Sequence, residues 1–307
     1  MKHLICLKDW TTEEILEVLN LADRLKYENK NRIDHKHHLR GKTLGMIFSK
    51  SSTRTRVSFE VGIHQLGGYA LFLSASDIQI GRGETIHDTA KTLSRYLDGI
   101  MIRTFRQKDV EDLAAYGSIP VINGLTDELH PCQILADLMT IREKKGKLKG
   151  LKLSYVGDGN NVAHSLLIGC AKTGVDISVA TPKEYSCMDK YVKIAMEIAQ
   201  TTGTTIEILS DPKEAVRNAD VVYTDTWVSM GMENEKEQRI KVFLPYQVNK
   251  ELFSLAKPDA IFMHCLPAYR GYEVTEDIID GPNSAVFDEA ENRLHVQKAV
   301  MVKLMAD

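Results

Sequence analysis

Residues Thr43 to Arg56 read TLGMIFSKSSTRTR. The first six form a short apolar run after Gly41, which predicts a β-strand ending at Phe48. Val57 to Leu66 then has helical spacing of apolar residues, with the helix expected to start near Val57. Between strand and helix lies SKSSTRTR, where hydroxyls at Ser51, Ser52, Thr53 and Thr55 alternate with cations at Lys50, Arg54 and Arg56. A helix N-terminus presents free backbone N–H groups and the positive end of the peptide dipole. Hydroxyl donors and guanidinium forks added to that end make a cradle for a phosphate or carboxylate. The segment lacks the G-x-x-x-x-G-K pattern, so it is not a Walker loop.

Working outward, the same strand–helix alternation continues on both sides. An amphipathic helix is expected over Thr11 to Tyr27, capped by Thr11 or Thr12. Strands are expected at Gly99 to Arg103 and Ile119 to Ile122, with helices at Val110 to Tyr116 and Pro131 to Lys145. The basic stretch Lys144 to Lys152, KKGKLKGLK, marks a boundary, after which the alternation restarts. Strands are expected at Leu151 to Val156, Asp176 to Ala180, Thr205 to Leu209, Val221 to Thr224 and Ala260 to His264. Helices are expected at Ala163 to Thr173, Tyr191 to Thr201, Pro212 to Arg217 and Asn292 to Met305. The predicted fold class is α/β: two similar domains, each a parallel sheet flanked by helices, with the active site in the interdomain crevice at the strands' C-terminal ends. The expected domains are residues 1–147 and 148–291, with helix 292–307 packing back on the first.

The composition fits this architecture. The chain has 307 residues, enough for about two domains. Lys plus Arg is 39 and Asp plus Glu 42, a net charge of −3 that argues against a nucleic-acid partner. No apolar run approaches the ~20 residues of a membrane span. Met1 to Thr12 is charged and lacks the apolar core of a signal peptide. The five cysteines are odd in number and contain no C-x-x-C pair, so neither a disulfide framework nor a zinc site is expected. Together these features point to the cytoplasm.

Four further segments follow strands, and a fifth precedes the last helix. DELHPCQILAD, Asp127 to Asp137, puts His130 beyond a strand end and Gln133 three residues on, where both can hydrogen-bond a carbonyl oxygen. Arg103 is a second cation at a strand end. GDGNNVAHS, Gly157 to Ser165, resembles a dinucleotide fingerprint, but Val162 replaces the third Gly and the next strand ends without an acid. Asn160 and Asn161 could hold a small carboxylate there. DTWVSMG, Asp225 to Gly231, and HCLP, His264 to Pro267, follow later strands, and Cys265 is a possible nucleophile or an inert thiol. EAENR, Glu289 to Arg293, precedes the last helix, and Arg293 by itself reads as a surface charge. HKHH, His35 to His38, reads as a solvated loop rather than a metal site.

In their order and intervals, FSKSSTRTR, HPCQ, GDGNN, DTWVSMG and HCLPA resemble the aspartate/ornithine carbamoyltransferase family, and within it the ornithine carbamoyltransferases. The resemblance runs from LKDWT near the start to EAENR near the end. It implies transfer of the carbamoyl group of carbamoyl phosphate to the δ-amine of L-ornithine, giving L-citrulline and phosphate. A putrescine or acylated-ornithine carbamoyltransferase is the alternative. It implies that Ser52, Thr53, Arg54 and Thr55 bind the phosphate, and that Arg103, His130 and Gln133 hold the carbonyl side. Cys265 and Leu266, with Arg293, complete that site, and Gln79 reaches it, often from a neighbouring subunit. Arg54, Arg103, His130 and Cys265 are the expected catalytic residues. Ornithine is expected against Asn161, Asp225, Ser229 and Met230. A homotrimer or a multiple of trimers is implied, with no cofactor and no metal.

Overall fold

The computed structural model describes residues 1–78, 80, 83–228, 231 and 233–306. The chain divides into two compact units, Met1–Met139 with Glu291–Asp307, and Thr140–Ala290.

The first unit opens with α1 (Thr12–Lys30), whose N-cap Thr11 forms a capping box with Glu14. It continues through β1 (Thr43–Phe48), α2 (Thr53–Gln65), β2 (Tyr69–Ser74), α3 (Ile86–Leu93), β3 (Gly99–Arg103), α4 (Gln107–Tyr116), β4 (Val121–Leu125) and α5 (Pro131–Lys145). The four strands form one parallel sheet in the order β2-β1-β3-β4. β1 and β3 are central and almost wholly buried, as continuous apolar runs require when both faces are covered. Ile47, Ile100, Ile102 and Val121 meet Ala90, Val110 and Leu113 in the core. The N-terminal segment covers the β4 edge: the Leu4 N–H donates to Val121 O at 2.9 Å and the Asn123 N–H to Leu4 O at 2.7 Å.

The second unit contains β5 (Lys152–Val156), α6 (Asn161–Thr173), β6 (Asp176–Ala180), α7 (Asp189–Thr202), β7 (Ile206–Leu209), α8 (Pro212–Val216) and β8 (Val221–Tyr223). It goes on through α9 (Lys236–Phe243), α10 (Lys250–Phe253), β9 (Ile261–Met263) and α11 (Glu276–Ile279). Its five strands are parallel in the order β7-β6-β5-β8-β9. The last helix, α12 (Val286–Met305), carries Asp288 and Glu289 in its first turn, where acids suit the dipole.

The α/β class and the parallel sheets are as expected, but several element bounds differ. α2 starts at Thr53, four residues before the expected position. The Ser52 side chain accepts the Thr55 N–H at 3.1 Å and caps the helix there. Arg54 and Thr55 therefore stand in the first helical turn. α6 begins at Asn161 rather than Ala163, and α12 at Val286 rather than Asn292. β4 starts two residues later than expected and ends three later, taking in Asn123, Gly124 and Leu125. The buried Asn123 amide donates to Ile5 O at 3.1 Å, so a polar residue does not end the strand. β9 stops at Met263, leaving His264 beyond it. The strand β2 and the helix α3 lie outside the expected elements altogether. β2 is a sheet edge with mixed exposure, although Tyr69 to Leu73, YALFL, is an apolar run of the same kind as that of β1. The HKHH segment is only partly solvated. His35 is buried, its ring Nδ1 3.0 Å from Ile33 O and its Nε2 3.3 Å from the Lys298 ammonium, so the hydrogen sits on Nδ1.

Candidate active site

In a parallel sheet the C-terminal strand ends share one edge, and loops after them converge there. In the first unit the Ser49 N–H donates to Arg103 O at 2.8 Å, which joins the loop after β1 to the end of β3. Arg103 is buried, and its Nη1 reaches Thr55 Oγ1 at 3.5 Å. The same hydroxyl receives Arg293 Nη2 at 3.3 Å from α12. Arg293 Nη1 donates to Gln133 Oε1 at 2.6 Å, and Gln133 Nε2 donates to Asp137 Oδ1 at 2.8 Å. Arg293 is thus buried, not a surface charge. Lys50 pairs with Asp127 and lies 4.4 Å from the Phe105 ring centroid, linking the loops after β1 and β4.

His130 sits at the entrance to α5 and is buried. Burial lowers its pKa well below the ordinary 6.5, and Arg293, Arg103 and Arg54 push it further in the same direction. It is therefore a neutral imidazole at pH 7 that can donate one N–H to a carbonyl oxygen. The shift has a stability signature. Above pH 6.5 folded and unfolded chains are both neutral here and the term is constant. Below 6.5 the unfolded chain gains a proton that the folded chain refuses, so stability falls as pH drops. The limiting slope is about 1.4 kcal/mol per pH unit. His130→Asn is expected to flatten the loss of stability below pH 6.5 relative to the parent. Denaturant unfolding between pH 4.5 and 7.5 measures this, and parallel curves would contradict it.

In the second unit the loops after β5, β8 and β9 meet. Asn160 caps α6, its Oδ1 accepting the N–H groups of Val162 and Ala163 at 3.0 and 3.2 Å. Its Nδ2 donates to Asp225 Oδ2 at 2.7 Å. The other carboxylate oxygen of Asp225 accepts the Thr226 N–H at 2.8 Å and the Cys265 thiol at 3.1 Å. Asp225 is buried, whereas Asn161 is half-buried as the first residue of α6. Asp158 pairs with Arg239, whose Nε donates to Trp227 O at 2.5 Å. Burial, aided by the Asp225 charge, outweighs that pairing and pushes Asp158 up to about 7. Gly159 passes so close to the 185–187 backbone that a Cβ would lie 2.3 Å from Cys187 N, which explains a glycine in the GDG turn.

Asp225, His264 and Cys265 offer three metal-type donors within 4.8 Å of one another. Their hydrogen bonding uses them otherwise. His264 Nδ1 accepts the Leu266 N–H at 2.9 Å, so its hydrogen lies on Nε2, 3.3 Å from Glu273 Oε1. Neither ring nitrogen then keeps a lone pair for a cation. The network instead fixes the turn after β9, with Leu266 at φ 57°.

The structure therefore brings together Ser52, Thr55, Arg103, Gln133 and Arg293 by hydrogen bonds within one unit, with Arg54 and His130 in electrostatic reach. It brings Asp225 and Cys265 together within the other. Gln79, Ser229 and Met230 lie outside the described residues. Asn160 is a residue sequence reasoning passed over in favour of Asn161, although an Asn just before a helix start is a capping signal.

Two parallel α/β units, one with guanidinium groups gathered at a helix N-terminus and one with a buried carboxylate beyond its strand ends, have the make-up expected of a two-substrate group-transfer protein. Residues 2–143 match the model of the aspartate/ornithine carbamoyltransferase carbamoyl-P binding domain, and residues 149–304 that of the Asp/Orn binding domain. The chain belongs to the aspartate/ornithine carbamoyltransferase family. It is 62% identical to the ornithine carbamoyltransferase of Caldicellulosiruptor saccharolyticus over 98% of each chain. It is 60% identical to that of Bacillus subtilis, over 99% of this chain and 94% of that one. The solved ornithine carbamoyltransferase from Pyrococcus furiosus superposes with a TM-score of 0.96 at 58% identity, covering 99% of this chain and 97% of that one.

Proposed function

We propose that this protein is an ornithine carbamoyltransferase, with carbamoyl phosphate held by the first unit and L-ornithine by the second. The observation that carries the reading is the gathering of Arg103, Arg293 and Gln133 about the Thr55 hydroxyl at the start of α2, beside a His130 imidazole that burial, seconded by the charges of Arg293, Arg103 and Arg54, keeps neutral. A cradle of this kind suits a dianion that carries a carbonyl group. The arginines and the hydroxyls of Ser52, Thr53 and Thr55 receive the phosphate, and His130 with Gln133 receives the carbonyl oxygen.

The chemistry follows from charge. The δ-amine of ornithine attacks the carbamoyl carbon, the C–O bond to phosphate breaks, and the proton lost by the amine balances the one gained by the departing phosphate, which leaves as hydrogen phosphate. Negative charge grows on the carbonyl oxygen and on the leaving phosphate. Donors already in place stabilise that charge without reorganisation, and holding both substrates in line supplies the remainder. The amine has an ordinary pKa near ~10, like Lys, and must react neutral. Asp225 pairs with the substrate's α-ammonium and Asn161 with its carboxylate. The Cys265 thiol, hydrogen-bonded to Asp225, contacts the amine rather than forming a covalent intermediate.

The assembly in this reading is a homotrimer or a multiple of it. Support comes from α2 and β2, which pack together and expose Val57, Val61, Tyr69 and Leu71. Such apolar exposure suits a subunit interface. The compartment in this reading is the cytoplasm, consistent with five free thiols. Among the described residues no helix is long and apolar enough to cross a membrane.

The test offers carbamoyl phosphate with ornithine, putrescine, acetylornithine and aspartate in parallel and measures the carbamoylated product. Turnover with ornithine alone is expected. Turnover with another amine would keep the phosphate cradle and overturn the ornithine assignment.

A further inference from the structure

Arg293 has three guanidinium nitrogens, and the third leads away from the residues already described. Its Nε donates to Gln297 Oε1 at 2.9 Å, one turn along α12. With the amide oxygen committed to Arg293, the amide nitrogen of Gln297 faces Ser58 and donates to its Oγ at 2.7 Å. The Ser58 hydroxyl, now an acceptor, sends its own hydrogen to Arg54 O at 2.5 Å. The donors thus run in one direction, from the guanidinium of Arg293 to the backbone of Arg54 in the first turn of α2. Gln297 is fully buried.

We propose that Gln297 is a positioning residue of the phosphate cradle: its amide sets the plane of the Arg293 guanidinium and ties α12 to the turn that carries Arg54. The proposal rests on the carbamoyl-phosphate reading of that cradle. A guanidinium on a flexible stem has many rotamers, and a fixed acceptor on Nε selects one. A serine bonded to the carbonyl four residues back is held firmly only if its own acceptor site is used, and Gln297 uses it. Polarisation along such a chain strengthens each bond in it. The bonds of Gln297 run to Arg293 and Ser58, both of the first unit, so the effect should fall on the substrate that unit is proposed to hold.

The test compares the parent with Gln297→Met, which is similar in length and lacks both polar atoms. The KM for carbamoyl phosphate is expected to rise about tenfold, the loss of one buried bond to a charged group, while the ornithine KM stays within about twofold. Calorimetric titration with inorganic phosphate should weaken by a similar factor. Adding Ser58→Ala to Gln297→Met should cost little more, because both act through one chain of bonds. Phosphate binding within twofold of the parent, or both KM values rising together, would overturn the proposal. If Gln297→Met does not fold, Ser58→Ala alone decides: about threefold weaker phosphate binding supports it, and unchanged binding overturns it. Failure of the parent to use carbamoyl phosphate would sink the enzymatic reading, while phosphate titration still tests Gln297.

Discussion

Arg54→Ala is expected to lower kcat by about 10²–10³-fold, the loss typical when one preorganised donor is removed from a developing negative charge. The position supports so large an effect. Arg54 stands in the first turn of α2, beside the hydroxyl cap of Ser52, and its charge is felt by the buried His130. Its side chain is half-buried at a helix start, so truncation leaves the strand–helix unit intact. Steady-state kinetics with both substrates saturating, alongside a melting curve, separate lost chemistry from lost fold. A near-parental kcat in a folded variant would remove Arg54 from the transition state.

Asp225→Ala is the second large effect. Asp225 is buried and receives bonds from Asn160, the Thr226 N–H and the Cys265 thiol, so its carboxylate is held in one orientation before any substrate arrives. Removing one partner of a buried charge pair costs about 2–5 kcal/mol, equivalent to a thirtyfold or greater loss of affinity. The ornithine KM should rise by about that factor, with the carbamoyl-phosphate KM changed less than about threefold. Calorimetry showing equal losses for both substrates would refute the assignment of Asp225 to ornithine.

Much of the first half-site was legible in the sequence because its signals are local. SKSSTRTR packs hydroxyls and cations between an apolar run and a helical pattern, and those few residues suffice to describe a capped, cationic helix start. Arg293 is the opposite case. On its own helix it reads as a surface charge, and only the fold, which sets α12 against Thr55 and Gln133, buries it. Gln297 was invisible for the same reason: its partners lie 4 and 239 positions away, and only the nearer one shares its helix. The strand β2 was legible by the same signal as β1, since Tyr69 to Leu73 is an unbroken apolar run. Asn160 and Asn161 could not be ranked by type, since the difference between a cap and the first helical residue is one of backbone angle.

Burial and the charges of three arginines keep His130 unprotonated, and in the proposed reading the same charges sort the anions of the surrounding solution. Coulomb work grows with the charge of the visitor, so a doubly charged phosphate gains about twice what chloride or bicarbonate gains in the same field. In the proposed reading that advantage favours a scarce dianion over monovalent salts to the extent that bonds to the arginines and hydroxyls offset its larger desolvation cost. Dissolved salt erodes it only where the field reaches solvent, because buried charges are poorly screened.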